Sequence, residues 1–122
     1  MNIDGTYVSE DGDFELIIQN SNESNSTFGG TYVSIHTPQG KQSFSVTGRW
    51  YYVNNPGGSL VPLSIGFTAI DRPSGREYAT LDAWAGEMVS QTSIKMNGVR
   101  SYLPAGGSAD ITDLGTHIFD KR

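Results

Sequence analysis

Phe44-Ser45-Val46-Thr47-Gly48-Arg49-Trp50-Tyr51-Tyr52 alternates in a way that only an extended chain satisfies. Successive side chains of a strand point to opposite faces, so Phe44, Val46, Gly48, Trp50 and Tyr52 share one side. A period of two is the mark of a strand with one face toward a core.

The same reading extends outward. In Phe14-Glu15-Leu16-Ile17-Ile18 the set Phe14, Leu16 and Ile18 faces a core. From Thr31 to His36, Tyr32, Ser34 and His36 share one face, while Thr31, Val33 and Ile35 share the other. Ile65–Asp71 is apolar on both sides except at its end. Turn formers separate these runs: Glu10-Asp11-Gly12, Asn20–Ser26, Pro38-Gln39-Gly40, Asn54–Gly58, Arg72–Gly75, Ser90–Thr92 and Pro104–Ser108. The intervals predict strands over 4–9, 13–19, 28–36, 42–53, 60–71, 76–89, 93–102 and 110–120. No segment keeps a 3.6-residue period.

Eight strands on short links suit an all-β, antiparallel, up-and-down barrel, which removes exposed sheet edges. A sandwich ordinarily needs longer crossovers. The 122 residues leave room for one domain spanning 1–122. Apolar groups on both faces of several strands predict burial against a second subunit.

Composition removes several functions. The formal net charge is −5, and the eight basic residues are scattered. Nucleic acid requires a cationic stripe, and an anionic membrane surface is disfavoured for the same reason. With no cysteine there is no thiolate nucleophile or disulfide. Met1–Gly5 has neither the basic nor the apolar stretch of a secretory leader, so a cytoplasmic chain and a secreted chain freed of its leader read alike. Gly57-Gly58 and Gly106-Gly107 are hairpin glycines and precede no helix as a phosphate loop would, and no cofactor motif is legible. His36, Asp71, Asp82 and His117 offer metal-ligand types but lack metal-site spacing. No activated nucleophile or carboxylate dyad is legible, which predicts a protein that binds rather than catalyses.

Six segments in order resemble the avidin/streptavidin family. They are Asp4-Gly5-Thr6-Tyr7, Gly29-Gly30-Thr31-Tyr32-Val33-Ser34, Val46-Thr47-Gly48-Arg49-Trp50, Ile65–Arg72, Ala83-Trp84-Ala85-Gly86-Glu87 and Leu114-Gly115-Thr116-His117-Ile118-Phe119. The resemblance implies an avidin-like barrel with a small-molecule pocket, assembled as a homodimer or tetramer. It puts Tyr32 and Ser34 at two ligand-bonding positions and Trp84 at one wall tryptophan. Ser9 stands where the family has asparagine, Asp71 where it has tryptophan, and Thr80 and Asp82 where it has serine and threonine. His117 replaces an aspartate or asparagine. Strand two turns Asp13 outward where the family has an inward serine. The tryptophan of strand seven has no counterpart in Ser93–Arg100, and Ser108-Ala109-Asp110 replaces the one a neighbouring subunit would lend.

Three lost tryptophans and an added carboxylate predict weak biotin binding or none, because each 1.4 kcal/mol lost is about tenfold in affinity. A polar ligand is expected instead. In one narrow pocket the carboxylates of Asp71 and Asp82 should repel each other, share a proton, or favour a cation, and with His117 close by binding should vary between about pH 5 and 8. The alternative is a protein-interaction module that keeps the barrel without a ligand site. A ligand-sized void inside would favour the first reading, and interior aromatics the second.

Overall fold

The computed structural model describes residues 2–53, 61–72 and 74–122. Eight strands follow one another: β1 (Gly5–Ser9), β2 (Phe14–Asn22), β3 (Thr27–Ser34), β4 (Gln42–Tyr52), β5 (Leu63–Asp71), β6 (Tyr78–Ser90), β7 (Ser93–Pro104) and β8 (Asp110–Lys121). Each pairs antiparallel with the next, and β8 returns to β1, with Tyr7 opposite Lys121 and Ser9 opposite Phe119. This is the closed up-and-down barrel expected from the alternation.

The differences lie at strand ends. β3 stops at Ser34, so His36 leaves the strand and is half-exposed in the following turn. β2 runs on to Asn22 through a register irregularity, into the stretch expected to be all turn. β7 continues two residues further than expected, to Pro104. Tyr52, expected inside with Trp50, lies at the exposed end of β4 and donates to Glu23 Oε1 at 2.9 Å. The turn expected at Asn54–Gly58 and the start of strand five at Leu60 lie outside the described residues.

The interior follows from one alternate set on every strand. Phe44, Val46 and Trp50 of β4 are buried while their neighbours are exposed. Aromatic rings gather along the axis. Tyr32 lies 5.5 Å from both Phe44 and Phe67, and Trp84 lies 5.2 Å from Phe119. Two glycines make this packing possible. A Cβ on Gly98 would stand 2.5 Å from the Trp84 ring, and one on Gly48 would stand 2.1 Å from the ring of Phe28. Where strand seven lacks the expected tryptophan, Gly98 opens the notch that receives Trp84 from its partner strand.

Candidate functional site at the barrel mouth

The turns β1–β2, β3–β4, β5–β6 and β7–β8 gather at one end of an up-and-down barrel, and every sequence-identified site residue lies toward that end. Ser9, Tyr32, Ser34, Thr80, Asp82 and Trp84 are buried. Asp71 shares the inward set of Phe67 and Ala69, half-buried at the last position of β5, opposite Thr80. Thr80 in turn pairs with Tyr102 of β7.

The centre of the site is a residue the sequence reading left out. Arg100 lies on the inward set of β7, directly opposite Asp82 of β6. Its Nε donates to Asp82 Oδ1 at 2.6 Å and its Nη2 to Asp82 Oδ2 at 2.6 Å, a two-pronged pair. Tyr32 donates its hydroxyl to the same Oδ2 at 2.7 Å, and Nη2 also donates to Ser34 Oγ at 3.3 Å. Ser34 Oγ then accepts from the backbone N–H of His36 at 3.0 Å. The three polar residues expected to meet a ligand therefore meet a side chain of their own chain. The signal was available. A hairpin turning at Ser90–Thr92 centres on Gln91, and Asp82 and Arg100 are equally far from it in sequence.

The pair also corrects the expected electrostatics. Asp82 was read as a carboxylate repelling Asp71 or sharing a proton. It is fully buried, and the Arg100 guanidinium beside it, at 9% side-chain exposure, supplies the opposite charge. Burial works against the charge on Arg100, but the bonds and charge of Asp82 outweigh it and raise its pKa. Burial first, and Asp82 second, push the Tyr32 phenol well above its ordinary value. Removing one member of such a buried pair ordinarily costs about 3–5 kcal/mol, because the other is left charged and unpaired.

Phe14 caps this cluster. The alternation that turned Asp13 outward brings Phe14 inward, and its ring stacks within 7° of Tyr32 at 6.3 Å. It also meets Trp84 edge-on at 5.0 Å and His117 at 5.1 Å. Ser9, expected to face a ligand, holds the β1–β2 turn: it donates to Asp11 Oδ1 at 2.7 Å and accepts from the backbone N–H of Phe14 at 3.0 Å.

Above Phe14 and Arg100 a depression of about 430 Å³ opens to solvent, walled by Asp11, Asp13, His36, Asp113 and His117. His36 Nε2 lies 2.8 Å from Asp13 Oδ2. His117 Nε2 lies 2.8 Å from the carbonyl of Leu114, an atom that only accepts, so this nitrogen carries the hydrogen. Its Nδ1 stands 3.2 Å from Glu10 Oε1 and 3.5 Å from Asp11 Oδ2, close enough to pair but not aligned as a hydrogen bond. His117 thus faces the rim carboxylates of the β1–β2 turn, whereas both carboxylate oxygens of Asp82 are engaged by Arg100. Burial disfavours the Asp11 charge, but the Asp13 backbone N–H, the Ser9 hydroxyl and His117 together outweigh it and lower its pKa.

No family model and no curated protein matches this sequence. Solved structures do. Core-bradavidin superposes with a TM-score of 0.69 at 21% identity, over 96% of this chain and 97% of that one. Rhizavidin, solved as a complex with biotin, gives 0.65 at 21% identity, over 98% and 91%. A biotin-binding protein from chicken gives 0.58 at 16% identity, over 99% and 96%. At these identities the likeness is one of architecture, and the chain has the avidin/streptavidin fold.

Proposed function

We infer that this chain is a non-catalytic binding barrel that works from its mouth, with the deep biotin-type site closed from within. The observation that carries this is the Arg100 guanidinium, bonded to Asp82 and Ser34 beneath the ring of Phe14. A neutral ligand head finds two expected partners already engaged, the Tyr32 hydroxyl by Asp82 and Ser34 Oγ by Arg100, while the buried Trp84 N–H beside them is unpaired. What remains open is the rim depression. Glu10, Asp11, Asp13 and Asp113 outnumber the two histidines around it, and the bordering Arg100 is paired with Asp82, which favours a small polar ligand bearing a positive group.

The test is an NMR titration with 1,4-diaminobutane at pH 7. The expected shifts cluster at His36, Asp113 and His117, and the double variant Asp13→Asn, Asp113→Asn weakens binding severalfold. Shifts scattered over the surface, or an affinity unchanged in that variant, would defeat the reading.

A second reading concerns the outer wall. Ile70, Leu81, Ser101 and Ile111 stand in one row across β5–β8, and Ile70 and Ile111 are 63% and 69% exposed. Val99 and Leu103 lie beside this row and are also exposed. Below it runs a trough of about 570 Å³ floored by small residues, among them Gly66, Ala83 and Ala85. An apolar wall with a small-residue trough suits a second copy of the same barrel, since a two-fold contact buries the same patch on both partners. This supports a homodimer as the assembled form. The wall lies on β5–β8, whereas of the outward pair Val33 and Ile35 the first is half-buried.

A further inference from the structure

We propose that the buried cluster Asp82–Tyr32–Ser34 is a recognition site for a planar guanidinium, filled in the native chain by Arg100. This rests on the same Arg100 bonds as the closed floor in the proposed function and deepens that part of it, but it does not depend on any ligand at the rim.

Three features assign the ligand class. Both Asp82 oxygens are taken by two different guanidinium nitrogens at 2.6 Å each, which requires two parallel N–H donors. An ammonium offers donors from one atom and cannot span both oxygens in this way. The site is fully buried beneath Arg100, with Asp82, Tyr32 and Ser34 all at 0% exposure. A carboxylate held there needs a full positive charge, not a dipole. Finally, the third acceptor, Ser34 Oγ at 3.3 Å from Nη2, is held by the backbone N–H of His36, so this acceptor position is set without the guest. Arg100 also borders the solvent-open depression, so shortening its side chain gives a guest a path to the same floor.

The experiment is chemical rescue of Arg100→Ala by methylguanidinium, read as thermal unfolding of the full chain. The variant should unfold well below the native protein. Millimolar methylguanidinium should recover a large part of that loss, and methylammonium at equal ionic strength should not. Arg100 borders the rim too, so rim binding is read from methylammonium; only the shift by methylguanidinium in excess of it in the variant counts, and failure of the mouth reading leaves this comparison intact. Equal shifts for both cations, or none, would overturn the proposal.

If Arg100→Ala does not fold, the double variant Asp82→Asn, Arg100→Ala decides, since it leaves no unpaired buried charge. It should be stabilised by neutral N-methylurea at least as well as by methylguanidinium. A selective response to methylguanidinium without the carboxylate would refute the role given to Asp82.

Discussion

Burial holds two phenols of the barrel in their protonated form. Burial, with Asp4 adding to it, pushes Tyr7 up to about 12, and its hydroxyl donates to the Ile3 carbonyl at 2.7 Å. Tyr32 is raised in the same direction by burial and by Asp82. Below about pH 10 both phenols are protonated, folded or unfolded, and their contribution to stability is complete. Above it the unfolded chain ionises while the folded one does not, so stability falls until the folded values are reached. Urea midpoints should therefore drop between pH 10 and 12. Tyr7→Phe should start lower by about 1 kcal/mol, for its lost hydrogen bond, and decline less steeply. Equal slopes for the two proteins would show that Tyr7 does not titrate as its surroundings require.

Strands carry the next level of the account, because alternation assigns each residue a side before any contact is known. The outward set of β5–β8 gathers Ile70, Leu81, Val99, Leu103 and Ile111, and an interface built on it should break when charge enters it. Ile111→Glu should convert a dimer to a monomer in sedimentation velocity at micromolar concentration, with an unchanged β-type circular dichroism spectrum. A native chain that already sediments as a monomer at that concentration would remove the interface. The same alternation explains what the sequence made legible. Phe14, Tyr32, Ser34, Asp82 and Trp84 fall inward because their strands repeat every two residues. Arg100 was missed because Ser93–Arg100 was read only for its absent tryptophan, although the hairpin register sets Arg100 opposite Asp82. His36 was misplaced because β3 ends before it, and strand ends are decided by turn geometry that alternation does not see. Phe14 was identified as core, but its place over Tyr32 and Trp84 depends on closure of the barrel, a long-range fact.

At the scale of the whole molecule, the fold and the site point in different directions. The barrel superposes on proteins solved with biotin or described as binding it, over almost its full length. Yet rings of its own chain line its axis, and its own guanidinium engages the Asp82 and Ser34 oxygens of the floor. Fold is shared across functions, and the residues of the site decide between them. For a biotin-sized head to enter, Phe14 would have to leave its contacts with Tyr32, Trp84 and His117, and Asp82 would lose its only arginine. Each displacement costs binding energy, and about 1.4 kcal/mol is a tenfold loss. Titration calorimetry of the native chain with biotin tests this most directly. The account predicts no saturable heat, or a Kd no tighter than about micromolar, whereas stoichiometric binding at nanomolar Kd would contradict it.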